Sequence, residues 1–142
     1  MELQQDSLGF LLADVSRLMR RAFQQRLEGS SLTLAQARAL VYVSRNEGVR
    51  QVDLAELLEV QPITLARLID QLAAARLVER RADPTDRRAY QLYLKPAATK
   101  HLSAIEQVAR TIRASALRDV GTAERAIVLA ALRTMRDNLG SR

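Results

Sequence analysis

VDLAELLEVQPITLARLIDQLAAA, residues 52–75, and LVERRADPTDRRAYQLYLK, residues 77–95, decide the fold. The first reads as a short helix from Val52 to Leu58, then a tight break at Gln61-Pro62. A second helix follows to about Ala75, with Pro62 in its first turn, where the missing N–H costs little. On that second helix Leu65, Leu68, Ile69 and Leu72 recur at offsets 0, 3, 4 and 7, so they share one face. At 100° per residue Thr64, Arg67, Gln71 and Ala74 fall on a separate face, with Ile63 beside them. A buried stripe opposite small and polar side chains suits a helix that enters a DNA major groove. Small residues allow close approach, Thr, Gln and Arg present groups for base edges and phosphates, and an Ile can meet a thymine methyl. An amphipathic helix with an ordinary solvated face has the same pattern.

The second stretch is the one place where the period changes. Tyr90, Leu92 and Leu94 alternate with Gln91, Tyr93 and Lys95, and Asp83-Pro84-Thr85-Asp86 is a turn sequence, so 77–95 reads as a β-hairpin. Arg80, Arg81, Arg87 and Arg88 surround the turn, interrupted by Asp83 and Asp86. Guanidinium groups on a protruding loop can enter a minor groove, because they are planar and weakly hydrated. The two acids are expected to pair with neighbouring arginines and hold the tip in one shape. A self-neutralised surface loop is the plainer alternative. A helix-turn-helix followed directly by a basic hairpin is a joint signal, and together they favour a winged helix.

Working outward, the remaining segments are helical. Apolar residues at three- and four-residue spacing from Leu8 to Phe23 predict one long helix over 8–28, and Thr33 caps a second that stops near Asn46-Glu47-Gly48. Pro96 opens a long helix to about Asp119, and Thr122 caps a last one to about Leu139. The fold class is therefore mainly α with a small β-hairpin, in one domain.

Composition narrows the chemistry. The 142 residues hold no Cys and one His, which removes disulfides, thiolate nucleophiles, Cys-ligated metals and His-cluster metal sites, and makes a Ser-His-Asp site improbable. No Gly-rich phosphate loop is present, so an enzyme is disfavoured and no cofactor or metal is expected. His101 reads as a packing or surface residue. The net charge of +6 divides into −1 over residues 1–60, +3 over 61–95 and +4 over 96–142. Total charge alone does not separate a DNA surface from solvated Arg-rich helices. No apolar run is long enough to span a bilayer, and the acidic Met1-Glu2-Leu3-Gln4-Gln5-Asp6 start is unlike a secretory signal, so a cytoplasmic protein without membrane contact is expected.

Leu54-Ala55-Glu56-Leu57-Leu58, Thr64 through Leu72, Leu77-Val78-Glu79-Arg80-Arg81, Asp83-Pro84-Thr85-Asp86-Arg87-Arg88 and Leu92-Tyr93-Leu94 together resemble the MarR/SlyA family of bacterial transcriptional regulators. The resemblance is dense over 51–95, and the helix layout extends it over most of the chain. It implies a single domain over 1–142: a winged-helix DNA-binding lobe at 33–95 and dimerisation helices at 8–28 and 96–139. It implies a homodimer on a pseudo-palindromic double-stranded operator, with Gln61, Pro62, Ile63, Thr64, Arg67 and Gln71 at the major groove. Arg87 and Arg88 would lie on the wing, shaped by Asp83 and Asp86. Family members usually repress, and many release DNA when a small phenolic or aromatic carboxylate binds between the dimer helices and the DNA-binding lobe. Arg17 and Arg21, with Arg20, would offer such an effector a charge partner. Without Cys, sensing through a thiol is excluded, and a reversible ligand is the expected trigger if there is one. The competing function is a winged-helix scaffold that binds protein without specific DNA binding; Arg87-Arg88 at the wing tip argues against it.

Overall fold

The computed structural model describes residues 7–140, and among them it contains six helices and a two-stranded antiparallel hairpin. In chain order these are α1 (Leu8–Leu27), α2 (Leu34–Arg45), α3 (Gln51–Leu58), α4 (Pro62–Ala74), β1 (Val78–Ala82), β2 (Tyr90–Leu94), α5 (Ala98–Ala116) and α6 (Thr122–Gly140). The mainly helical class with a hairpin wing expected from the period change is thus the architecture found.

The core lies under the winged-helix lobe. Leu40 and Val43 of α2, Leu54 of α3, and Leu65, Ile69 and Leu72 of α4 are buried against Val78 of β1 and Leu92 of β2. Local signals set the elements around it. Thr33 and Gln36 form a capping box at the start of α2: Thr33 Oγ1 accepts the Gln36 N–H at 3.2 Å, and Gln36 Oε1 accepts the Thr33 N–H at 2.9 Å. Pro62 occupies the first turn of α4, as the sequence implies. The far end of α4 closes by bonds from the Leu77 N–H to the Leu72 carbonyl and from the Arg76 N–H to the Ala73 carbonyl. Arg76 takes φ 63°, a left-handed turn usually given to glycine. That turn delivers the chain from the recognition-length helix straight into β1.

Three details differ from the sequence reading. Pro96 does not open α5; the N–H groups of Ala98 and Thr99 bond to the carbonyls of Lys95 and Pro96, making a turn before the helix starts at Ala98. Thr122 lies inside α6, whose first turn begins from the Gly121 carbonyl as acceptor of the Arg125 N–H. The hairpin also gains a short third partner. Gly48 N–H bonds to the Leu92 carbonyl, Leu92 N–H bonds to the Val49 carbonyl, and Arg50 lies opposite Gln91, so residues 48–50 run along the outer side of β2.

The long helices are only half covered. Leu8, Phe10, Leu11, Leu12, Val15 and Leu18 of α1 are exposed, and α6 has no buried residue, with Ile127 and Leu139 among its open apolar side chains. The surface is 10745 Å², whereas a compact monomer of this 15.9 kDa mass exposes about 7,400 Å². No helix among the described residues is long and apolar enough to cross a membrane.

The two isoleucines of α4 separate its faces experimentally. Ile69 is fully buried and Ile63 is 67% exposed. Ile69→Ala should cost about 2–5 kcal/mol, whereas Ile63→Ala should stay within about 0.5 kcal/mol of the parent, read by urea denaturation.

Candidate nucleic-acid interface

The outward face of α4 carries Gln61, Pro62, Ile63, Thr64, Arg67 and Gln71, all exposed, while Leu65, Ile69 and Leu72 anchor the opposite face. The two faces inferred from spacing are therefore the two faces of the folded helix. Arg67 makes no side-chain hydrogen bond or ion pair among the described residues. Gln71 is engaged: its Oε1 accepts Gln36 Nε2 at 2.8 Å, which links α4 to the first turn of α2.

The wing turns on a buried acid. Asp83 is only 6% exposed, and its carboxylate is surrounded by donors. Oδ1 accepts the Thr85 N–H at 2.8 Å and the Thr85 hydroxyl at 2.7 Å, and Oδ2 accepts Arg50 Nε at 2.7 Å. Arg50 also donates through Nη2 to Thr85 Oγ1 at 3.2 Å, closing a three-residue ring. The Thr85 amide and hydroxyl, with Arg50 behind them, hold the Asp83 carboxyl below its ordinary value against the opposing effect of burial. Asp86 acts differently: its Oδ1 accepts the Arg88 N–H at 3.0 Å and its carbonyl accepts the Ala89 N–H at 3.1 Å, a local turn that fixes the tip. Both acids shape the wing, but not by pairing with the wing's own arginines. Asp83 takes its cation from the residue before α3, and Asp86 uses main-chain N–H.

The four arginines around the turn divide into two pairs. Arg80 faces inward, bonding Asp70 at 2.7 Å, Gln51 Oε1 at 2.8 Å and the Ala66 carbonyl at 3.1 Å. It ties β1 to both α3 and α4, and so sets the wing's position relative to the recognition-length helix. Arg81 pairs with Glu79 and stacks over the Tyr93 ring, 3.8 Å from its centroid. Arg87 and Arg88 are exposed at the tip, and no side-chain partner holds either among the described residues. Arg88 also lines a small cleft of about 290 Å³ with Arg50, Gln51 and Pro62, between the wing and the start of α4. Arg50 is the site residue that sequence reasoning missed. It lies 33 positions from Asp83, and no spacing rule connects them.

A second, larger cleft of about 810 Å³ lies between α1, α2 and α5, with Leu132 of α6 also in its lining. Its wall is mostly apolar, with Val15, Met19, Phe23 and Ile105, and its polar lining includes Arg20, Arg38, Arg45 and Tyr42 with one acid, Glu106, which accepts from Arg110 at 3.3 Å. Arg17 and Arg21 are exposed on α1 and lie outside this lining; Arg17 is 3.5 Å from Asp14. His101 is half-buried on α5. Among the described residues no group of three His, Cys, Asp or Glu side chains could hold a metal ion.

Comparison with known proteins places this geometry. The sequence model of the MarR family matches residues 30–89. A Thauera aromatica protein assigned to transcriptional regulation of the hcr operon is 34% identical over 68 residues, which is 48% of this chain and 41% of that protein. The match therefore spans less than half of the curated relative. A crystal structure of MarR superposes with a TM-score of 0.85 at 26% identity, covering 98% of this chain and 95% of that one. Bordetella bronchiseptica BpsR, described in connection with regulation of its DNA binding by 6-hydroxynicotinic acid, superposes with a TM-score of 0.76 at 26% identity, covering 96% and 98% of the two chains.

The Asp83 ring predicts a pH signature. Because the folded carboxyl titrates below its ordinary value of 3.8, its contribution to stability is full above that value and is lost as pH falls through the folded one. Asp83→Asn should therefore lower the urea midpoint at pH 7, and the gap to the parent protein should narrow below about pH 4.

Proposed function

We propose that this chain, which belongs to the MarR family, is a repressor that binds a pseudo-palindromic operator as a homodimer and is released by a small aromatic anion. The observation that carries the DNA reading is the disposition of cations. Arg80 and Arg81 are consumed within the fold, while Arg67 on α4 and Arg87 and Arg88 on the wing tip stand free. In this reading Gln61, Pro62, Ile63, Thr64, Arg67 and Gln71 enter the major groove, Arg67 to a base edge or phosphate. Arg87 and Arg88 reach the minor groove and its phosphates, on a tip held by Asp83 and Asp86.

The dimer reading is supported by the apolar faces of α1 and α6, which no segment of the described chain covers. A second copy offers the same faces in a self-complementary arrangement, the commonest closed symmetry. Two copies would present two α4 helices to half-sites about one helical turn, ~10 bp, apart. On the bound duplex the protein should sediment as two chains, and log affinity should fall linearly with log salt. Arg67→Ala should cost about 1–3 kcal/mol on the selected operator, and Arg87→Ala should reduce the salt slope by about 1. Fluorescence anisotropy reads both; absence of binding to random duplex even at low salt would favour the protein-scaffold alternative instead.

The effector reading rests on the cleft between α1, α2 and α5, whose apolar wall suits a ring and whose Arg20, Arg38 and Arg45 suit a carboxylate. The Bordetella relative, whose DNA binding is linked to 6-hydroxynicotinic acid, supports that ligand class. Arg20 replaces Arg17 and Arg21 as the α1 contact in this proposal, because it is the one that lines the cleft. A hydroxybenzoate added to the protein–duplex complex should lower the anisotropy, and Arg20→Ala should raise the concentration required. An unchanged signal up to millimolar ligand would remove the effector from the model.

A further inference from the structure

We infer that Gln36, at the start of α2, is a specificity-positioning residue: it fixes which end of the Gln71 amide faces DNA, and so which base that helix position accepts. This rests on the reading of α4 as the major-groove helix. The argument begins from a main-chain donor. The Thr33 N–H can only donate, so the atom of Gln36 that meets it at 2.9 Å is the amide oxygen. The other end of that amide is then an NH2 group, which also can only donate. It lies 2.8 Å from Gln71, so the Gln71 atom facing it is the oxygen Oε1. The polarity of one backbone group is thereby passed through two side chains to the outward face of α4.

The consequence concerns the major groove. A free Gln reads adenine with both ends of its amide, accepting from N6 and donating to N7. Here the bond from Gln36 turns Oε1 toward α2, and the NH2, which has no partner among the described residues, is the end of the Gln71 amide left open toward DNA. A donor group matches acceptor atoms, N7 and O6 of guanine, O4 of thymine or N7 of adenine, and is unsuited to cytosine, whose major-groove edge offers the N4 amino group. Gln71 therefore selects guanine or thymine over cytosine at the base it faces.

Gln36→Glu inverts the arrangement while leaving the fold in place. Glu at this position still completes the capping box, since one carboxylate oxygen accepts the Thr33 N–H. Its second oxygen can only accept, so the Gln71 amide must turn its NH2 toward residue 36 and its oxygen toward DNA. Selection from random-sequence duplexes, run in parallel on the full chain and on Gln36→Glu, reads the effect. One position in each half-site should gain cytosine at the expense of guanine and thymine, with roughly a tenfold change in relative base frequency there. The added negative charge should weaken binding to all sequences alike, which leaves relative frequencies unaffected. Gln71→Ala should flatten preference at that same position. The proposal is overturned if Gln36→Glu selects the same base at every position as the parent, or if Gln71→Ala leaves that preference standing. Failure of the underlying reading looks different: the parent chain enriches no motif at all, or Arg67→Ala alters nothing, and the proposal then falls with it.

Discussion

A carboxylate with 6% exposure cannot remain ionised without compensating donors, and the geometry of the DNA-facing lobe follows from how Asp83 obtains them. Two come from Thr85 within the turn and one from Arg50, the residue that precedes α3. Removing any one leaves a buried charge partly uncompensated, so the turn has one favoured shape. Because Arg50 belongs to the strand-like segment along β2, the same contact fastens the wing to the helical lobe. Arg80 makes a second fastening at the other strand, bonding α3 and α4 together. Between them the wing tip and the recognition-length helix are held in a fixed mutual position, which is the condition for reading two grooves at once.

The arginines show how function and structure divide one residue type. Exposed ion pairs contribute little, about 0–1 kcal/mol each, so Arg81 with Glu79 or Arg17 with Asp14 says little about stability. What matters is where charge is left uncancelled. Arg80 has three partners, and Arg81 has an acid and a ring, whereas Arg67, Arg87 and Arg88 have none among the described residues. A polyanion would meet the second group first, and it would find the first group already satisfied. Net charge blurs this distinction, because its largest share, +4, belongs to residues 96–142 and not to the wing.

Much of this was legible in the sequence because it depends on short-range periodicity. The buried face of α4 at Leu65, Ile69 and Leu72, the exposed face at Thr64, Arg67 and Gln71, and the hairpin around Leu92 all follow from spacing alone. What escaped was long-range pairing. The acids of the wing were readable as shape-giving, but the partner of Asp83 comes from residue 50, and nothing in local pattern selects Arg50 over other cations. The strand-like stretch at 48–50 is too short for a two-residue period to appear, and it starts on Gly48, whose φ of 87° marks a turn. On α1, Arg17, Arg20 and Arg21 differ only in which way the helix turns them. The wall of the cleft, which shows that Arg20 faces it, is assembled from four helices, α1, α2, α5 and α6, spread from residue 12 to residue 132.

The helix α2 links the large cleft to the outward face of α4. Leu34, Ala37 and Arg38 of its first turns line the large cleft, and Gln36, on the same stretch, holds Gln71 of α4. A ligand in the cleft changes DNA affinity only if it binds the DNA-competent and incompetent arrangements unequally, and the change is limited to that difference. The structure supplies a short physical route for such a difference: a shift of α2 against α1 and α5 moves the amide that sets Gln71. Tenfold loss of DNA affinity requires a difference of only about 1.4 kcal/mol, within reach of one hydrogen bond to a charged group, worth about 1.5–3 kcal/mol. If the cleft takes a ligand and α4 reads bases, no extended relay is needed, because the first turns of α2 carry Leu34, Ala37 and Arg38 in the cleft lining and Gln36 against Gln71.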